Sequence, residues 1–209
     1  MIEIIPSINV ATFEEVQRRI ALAEPYVSWC HLDVTDGVFS AHETWRDPAD
    51  LSRLQTKLKM EVHLMVQEPE KMIEQWLVPP IARVIVHVEA MRDPELIIKK
   101  CHDAGREIGF AIKPGTSWEV LKPWLEKIDL AMVLRVNPGA SGQSMPSEML
   151  EEISHLREAC PRCTIEVDGG VTLDNARRAC TAGAAILVAG SMIFNASDMG
   201  QVIHNLKNI

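Results

Sequence analysis

Short runs rich in Ile, Val, Leu and Met recur along the chain and alternate with longer stretches of helical periodicity. Apolar runs of about four to eight residues bounded by turn residues read as strands, and apolar positions recurring every three or four residues read as amphipathic helices. The strand pattern falls on Glu3–Ile8, Val27–Asp33, Met60–Val66, Arg83–Val88, Glu107–Ile112, Leu130–Val136, Thr164–Asp168 and Ala185–Ala189. Between them, Thr12–Ala23 carries Phe13, Val16, Ile20 and Ala23 at helical spacing. Asp93 is placed to cap a helix running to Cys101, with Pro94 in its first turn. Ser117–Leu125, Ser147–Glu158, Asp174–Thr181 and Ser197–Leu206 follow the same pattern, and Pro48–Leu58 and Pro69–Leu77 follow it less regularly.

Eight strands alternating with eight helices imply parallel strands joined by crossover helices. Eight such units close into a single (β/α)8 TIM barrel of the α/β class, the strand count at which side chains just fill the interior. The rival is an open doubly wound sheet, which usually has fewer strands and a glycine-rich turn after the first. Here the first strand runs into Pro6-Ser7-Ile8-Asn9, without glycine. With no linker or low-complexity tract, residues 1–209 are expected to form one barrel domain. The 209 residues allow about 26 per unit, near the lower limit for this barrel. Recognition is therefore expected from strand ends and short loops.

Composition narrows the possibilities. Hydrophobic residues at 47% and charged residues at 24% are those of an ordinary globular chain. A net charge of −8 argues against binding a nucleic-acid backbone, and 5% aromatics argue against a base-stacking platform. No apolar run approaches the length of a membrane span; the stretch Ala184–Phe194 is short and interrupted by Gly190 and Ser191. The start MIEIIPSINV lacks a basic leader pattern, so the expected location is cytoplasmic. The five cysteines lack the pattern of a disulfide framework and are expected to be mostly reduced. Cys160-Pro161-Arg162-Cys163 has half the ligands of a zinc site and sits between a helix and a strand rather than opening a helix, so no metal or redox role is assigned to it.

Polar residues at strand ends change the picture. Side chains alternate faces along a strand, so His31 and Asp33 share one face, with His63 and Asp168 at corresponding positions of two other strands. The C-terminal ends of barrel strands are where barrel enzymes do chemistry. Two imidazoles and two carboxylates form a donor set for a divalent ion such as Zn, Fe, Mn or Co. Any one of the four reads as an ordinary hydrogen-bonded strand-end residue, whereas four at one end of a barrel read as a site. Glycine-rich turns follow the late strands at Asn137–Gly142, Asp168-Gly169-Gly170 and Ala189-Gly190-Ser191. Such loops present backbone N–H groups to a phosphate.

The segments Pro6-Ser7-Ile8, His31-Leu32-Asp33-Val34 with Asp36-Gly37, Val62-His63-Leu64-Met65-Val66, His87-Val88-Glu89-Ala90, Gly109–Thr116, Val136-Asn137-Pro138-Gly139, Glu166-Val167-Asp168-Gly169-Gly170 and Ala189-Gly190-Ser191 span nearly the whole chain. Their order and spacing resemble the ribulose-phosphate 3-epimerase family. The resemblance implies an isomerase of carbohydrate metabolism that interconverts D-ribulose and D-xylulose 5-phosphates in the pentose phosphate pathway. It implies one divalent metal ion held by His31, Asp33, His63 and Asp168. Asp33 and Asp168 would be the catalytic pair moving the C3 proton through a metal-stabilised enediolate. Ser7 and His63 would meet the sugar, and Gly139, Ala140, Ser141, Gly142, Gly169, Gly170, Gly190 and Ser191 the phosphate. The implied partner is a small sugar phosphate, with a homo-oligomer by analogy only.

The chain departs from the family's pattern at the substrate lining. Thr35 and Leu134 stand where the family usually has methionine, while Met65 is kept. The loop Phe39-Ser40-Ala41-His42, followed by Arg46, and the Ala140-Ser141 pair also differ. Thr35, Met65, Leu134 and His42 are therefore the expected specificity positions. These departures leave open a C3 epimerase of another sugar phosphate, such as a hexulose 6-phosphate. A non-catalytic barrel binding a metal or phosphate is a further alternative. Lys113, at the end of the fifth strand, raises a Schiff-base aldolase as the rival enzyme. His87 and Glu89 share a face of the fourth strand and are read as supporting the site from behind or as structural.

Overall fold

The computed structural model describes residues 2–134 and 148–209. Eight parallel strands form a closed barrel in chain order. They are β1 (Glu3–Ile8), β2 (Trp29–Thr35), β3 (Lys59–Met65), β4 (Ile81–His87), β5 (Glu107–Ile112), β6 (Leu130–Leu134), β7 (Thr164–Asp168) and β8 (Ile186–Ala189). β1 closes the barrel against β8, with Ile4 opposite Leu187 and Pro6 opposite Ala189. The architecture is the (β/α)8 barrel expected from the strand pattern, with β1, β5 and β7 at the expected bounds.

The helices are α1 (Phe13–Ala23), α2 (Pro94–Asp103), α3 (Glu148–Ala159), α4 (Leu173–Ala182), α5 (Ser191–Phe194) and α6 (Met199–Lys207). Their starts follow local chemistry. The Thr12 hydroxyl accepts the Glu15 amide at the head of α1, and Asp93 accepts the Leu96 amide before Pro94 of α2. Thr172 and Asn175 form a reciprocal capping box on α4. Strict alternation of strand and α-helix does not hold. After β2, β3 and β5 the chain forms only short 3₁₀ turns, at Pro48–Arg53, at Pro69–Lys71 with Ile73–Trp76, and at Trp118–Leu121. Proline explains the last case: Pro123 lacks an N–H and its ring would meet the carbonyl four residues back, so the expected helix to Leu125 stops at Leu121. Pro79 and Pro80 likewise bar a helix continuing past Leu77.

The pleat sorts two hydrophobic regions. Outward-facing Cys30, Leu32 and Val34 of β2, Val62 and Leu64 of β3 and Val84 and Val86 of β4 join Phe13, Val16 and Ile20 of α1 in the layer between sheet and helices. Inside the barrel, Ile5, Ile85, Ala111, Leu130, Met132, Ile186 and Val188 form a separate cluster, with Trp29 against it. The remaining interior is polar. Cys160 and Cys163 are joined in a disulfide, their Cα atoms 5.4 Å apart across the turn between α3 and β7, which corrects the expectation for that pair. Cys30 and Cys101 are free and buried, and Cys180 is free and half-buried. Among the described residues no helix is long and apolar enough to cross a membrane.

Candidate functional site

Register and pleat together assemble the site. Ser7 pairs with His31 between β1 and β2, Asp33 with His63 between β2 and β3, and Leu134 with Asp168 between β6 and β7. Residues two apart share a face, so His31, Asp33 and Thr35 point inward together. The same holds for Glu61, His63 and Met65 on β3, and for Glu166 and Asp168 on β7. Ser7, His31, Asp33, Thr35, His63 and Asp168 are all buried.

Four ligand atoms, one each from His31, Asp33, His63 and Asp168, lie within 4.8 Å of one another. His31 Nε2 is 3.3 Å from Asp33 Oδ1 and 4.0 Å from Asp168 Oδ2. His63 Nδ1 is 3.6 Å from each of the same two oxygens. Neither ring nitrogen has a hydrogen-bond partner among the described residues. The opposite nitrogens are both engaged. His31 Nδ1 lies 2.7 Å from Glu61 Oε1, and His63 Nε2 lies 2.8 Å from His87 Nε2. His87 Nδ1 in turn lies 3.3 Å from Glu89 Oε2. Two ring nitrogens and two carboxylate oxygens thus face one point. Nitrogen and oxygen ligands about 2.0–2.1 Å from a four-coordinate ion are themselves about 3.3 Å apart, so this donor set fits a divalent transition ion.

The electrostatics agree with that fit. Burial opposes a charged imidazole at His31 and His63, yet the carboxylates around each hold its pKa above the ordinary value: Asp33 and Glu61 at His31, Asp168 and Asp33 at His63. Burial also opposes ionisation of Asp33, and the two imidazoles outweigh it and hold Asp33 below the usual carboxylate range. The carboxylates thus favour positive charge at the centre of the cluster. His87 differs: burial, with His63 beside it, lowers its pKa to about 4, so it is a neutral imidazole at neutral pH.

The rim is built by one pinned loop. Asp36 Oδ1 accepts the amides of Val38 and Phe39, and its Oδ2 accepts the Gln67 amide past β3. Gly37, at φ +75°, makes the turn that an L side chain would strain. Thr44 Oγ1 donates to the Asp33 carbonyl and accepts the Thr35 amide, tying the loop back onto β2. Phe39 is thereby laid against His87, ring centroids 4.9 Å apart. At the opposite rim, Ser7 Oγ donates to Asp33 Oδ2 at 2.8 Å, and a Cβ on Gly190 would come within 3.2 Å of that hydroxyl. A side chain at that position would press on the Ser7 hydroxyl, so glycine gives the backbone its closest approach there.

The other expected residues divide. Thr35, Met65 and Leu134 are buried on the inner face beside the cluster. The Thr35 hydroxyl is fully buried and has no partner among the described residues. Gly169 and Gly170, both at positive φ, end β7, and Gly190 and exposed Ser191 follow β8 at the same mouth. Gly139, Ala140, Ser141 and Gly142 lie outside the described residues. His42 and Arg46 are exposed, with Arg46 Nη2 3.9 Å from Glu43 Oε2. Lys113 is half-buried, its ammonium 5.5 Å from the Phe39 ring centre.

Residues to which the sequence alone gives no role in the site lie one layer deeper. Glu61, Arg83 and Glu166 are buried below the histidines. Arg83 Nη1 donates to Glu61 Oε2 at 2.6 Å. Glu166 accepts no hydrogen bond among the described residues, and burial beside Glu61 raises its pKa well above the ordinary value. The signal was available: Glu61 and Glu166 each precede a site residue by two positions, which is the pleat's own period.

Comparison with known proteins extends these observations. The model of the ribulose-phosphate 3 epimerase family matches residues 3–194. A ribulose-phosphate 3-epimerase of Schizosaccharomyces pombe is 35% identical over 212 residues, covering 99% of this chain and 92% of that protein. One from Synechocystis sp. is 36% identical over 215 residues, covering 99% and 94%. The cytoplasmic isoform of Oryza sativa is 34% identical over 198 residues, covering 92% and 86%. Among solved structures, a 3-hexulose-6-phosphate synthase aligns with TM-score 0.72 at 14% identity, covering 99% of both chains. KGPDC from Streptococcus mutans aligns with TM-score 0.76 at 12% identity, covering 100% of this chain and 96% of that one. At such identities these two likenesses concern the fold alone.

Proposed function

The chain belongs to the ribulose-phosphate 3-epimerase family, and from that premise we propose that it inverts C3 of a ketose phosphate, interconverting D-ribulose 5-phosphate and D-xylulose 5-phosphate. The observation that carries this reading is the convergence of Asp33 and Asp168 on two imidazole nitrogens that face them without partners of their own.

The C3 proton of a 2-ketose is acidified by the neighbouring carbonyl. Its loss delocalises an electron pair onto the C2 oxygen, giving an enediolate, and a proton returned to the other face inverts the centre. Inversion therefore needs two proton-transfer groups reaching C3 from different directions. Asp33 on β2 and Asp168 on β7 stand with β1 and β8 between them and supply that pair. Asp33, held ionised, suits the base, and the Ser7 hydroxyl fixes its outer oxygen. His31, Asp33, His63 and Asp168 would hold one divalent ion, of Zn, Fe, Mn or Co. That ion, when bound, supplies Lewis acidity to the substrate oxygens that gain charge. The substrate phosphate would rest on backbone N–H groups around Gly169, Gly170, Gly190 and Ser191, because a chain of net charge −8 offers no general attraction to an anion. A cytoplasmic setting accords with this chemistry.

One observation favours a second substrate reading. The Thr35 hydroxyl, without a partner among the described residues and in a lining that the family usually makes of methionine, would suit a ketose phosphate other than ribulose 5-phosphate, such as a hexulose 6-phosphate.

The test is solvent deuterium exchange at C3 across pentulose and hexulose phosphates, with and without a chelator. Ribulose 5-phosphate is expected to exchange fastest and a chelator to abolish exchange. Asp33→Asn and Asp168→Asn are each expected to lower the rate by about 10²–10⁴-fold. Full activity in either variant overturns the two-carboxylate scheme, and absence of C3 exchange with every ketose phosphate leaves a binding barrel instead.

A further inference from the structure

The layer beneath the candidate metal ligands is charged where the rest of the barrel interior is apolar. On the inner face, Ile5, Ile85, Ala111, Leu130, Met132, Ile186 and Val188 pack one part of the interior. The other part holds Glu61, Arg83 and Glu166, of which both glutamates are fully buried. Burying ions is costly, and an apolar layer of similar volume serves stability as well or better. The arrangement of this group points elsewhere than stability.

Its bonds run in one line from the far mouth of the barrel to His31. Glu107, with its side chain 46% exposed, binds Arg83 through Nε at 2.8 Å and Nη2 at 2.6 Å. The Arg83 guanidinium lies over the Trp29 ring, 4.7 Å from its centre. These contacts leave Nη1 pointing inward to Glu61 Oε2, at 2.6 Å. The other oxygen, Glu61 Oε1, meets His31 Nδ1 at 2.7 Å. A carboxylate can only accept, so in a neutral His31 the proton sits on Nδ1 and the lone pair on Nε2. Nε2 is the nitrogen that faces Asp33 and Asp168. Glu166 is a neighbour rather than a link, 3.8 Å from both His31 Nδ1 and Arg83 Nη1.

We infer that Glu61, aimed by Arg83, is a positioning residue for His31, fixing the tautomer and orientation of the imidazole and thereby setting the affinity of the site for a divalent ion. This rests on the metal reading of His31, Asp33, His63 and Asp168 given above. A carboxylate behind a ligating imidazole makes it a better donor, and loss of such a partner commonly costs 10–100-fold in metal affinity. Arg83 matters because it is itself held by Glu107 at the far mouth and so keeps the Glu61 carboxylate from turning away from His31.

The experiment uses the full chain loaded with Co²⁺, with affinity read by competition against a graded chelator and the ligand field read from the visible d–d bands. Wild type is expected to take up one ion. Glu61→Gln is expected to take up one ion as well, with affinity about 10–100-fold lower and shifted bands. Because that variant replaces a buried charge, a second measurement is made on Zn²⁺-loaded wild type. Histidine-selective ¹⁵N NMR is expected to show His31 with its proton on Nδ1, shifted downfield by the carboxylate. A folded Glu61→Gln with unchanged affinity overturns the inference, and so does a wild-type His31 that carries no Nδ1 proton. A wild type that takes up no Co²⁺ overturns the metal reading itself.

Discussion

His63 and His87 face each other through their Nε2 atoms at 2.8 Å, and the pair decides which nitrogen of His63 is free. His87 is neutral at pH 7, its pKa lowered to about 4 by burial and by the neighbouring His63. A neutral imidazole has one N–H, and Glu89 beside Nδ1 can only accept, so the network assigns that proton to Nδ1. His87 Nε2 then accepts from His63 Nε2, which leaves His63 Nδ1 as the nitrogen that faces Asp33 and Asp168 and is available to a metal ion. His87→Phe keeps a ring in place and removes the acceptor. We expect metal affinity to fall about 10–100-fold. The His63 N–H left buried without a partner should lower stability by about 1–3 kcal/mol. Chelator competition and thermal melting of the same preparations check both effects, and unchanged affinity would mean that His63 needs no support from β4.

Thr35 separates stability from activity. Its hydroxyl is fully buried and unpartnered among the described residues, so the free protein carries a desolvation cost that a substrate oxygen would relieve. Thr35→Val removes the hydroxyl at nearly constant shape. The variant is expected to be more stable by about 1 kcal/mol and to lose about tenfold or more in kcat/KM on the true substrate. A rise in melting temperature with full activity would show that the hydroxyl serves no substrate. The substrate whose kcat/KM falls furthest is the one the site was shaped for.

Much of this arrangement could be read from the chain, for definable reasons. β1, β5 and β7 keep their expected bounds because turn residues or an acidic strand end mark them, and the pleat alone placed His31 with Asp33. The charged layer is less legible, because a glutamate inside an apolar run carries no strand-end signal, though Glu61 and Glu166 lie one pleat period below His63 and Asp168. Arg83 gave no comparable signal, since an arginine in an apolar run reads as a strand boundary until its partners on two other strands are known. His87 reads only as a supporting or structural residue, because its bond to His63 on the neighbouring strand β3 joins side chains that the sequence spacing alone does not bring together. The short 3₁₀ turn after β5 and the end of the crossover after β3 are marked by Pro123 and by Pro79-Pro80, whose breaking effect outweighs the helical spacing before them.

Gly109 tests how tightly the interior below the site is filled. It lies opposite Ile85 on β4 and Leu130 on β6. A Cβ there would come within 2.9 Å of Leu130 Cδ2 and 3.1 Å of Ile85 Cγ1. Both neighbours belong to the packed interior cluster and have little room to move. Gly109→Ala is expected to cost about 1–3 kcal/mol in denaturant unfolding, through overpacking rather than backbone strain. Gly115→Ala is the contrast. Nothing lies within 4 Å of its Cβ position, so its cost would come only from φ +87°. Equal stability of Gly109→Ala and wild type would mean that the barrel interior is looser than these contacts imply.

Glu89 should set part of the acid limb of stability. Burial pushes its carboxyl up, but hydrogen bonds from His87, the Lys113 amide and Thr116 outweigh this and hold its pKa at about 2, against an ordinary 4.5. With the folded value below the unfolded one, the folded protein binds fewer protons than the unfolded chain between those two values. Stability from Glu89 is therefore complete above about pH 4.5 and is lost as pH falls towards 2. The full difference would correspond to about 3 kcal/mol, and the partial exposure of this carboxylate to solvent reduces that to about 1–2 kcal/mol. Glu89→Gln keeps the shape and one acceptor while removing the charge. Urea unfolding of both proteins is expected to show wild type more stable by that amount at pH 7, with the gap closing as pH drops through the window. A gap that persists unchanged at low pH would assign the effect to packing rather than to the ionised carboxylate.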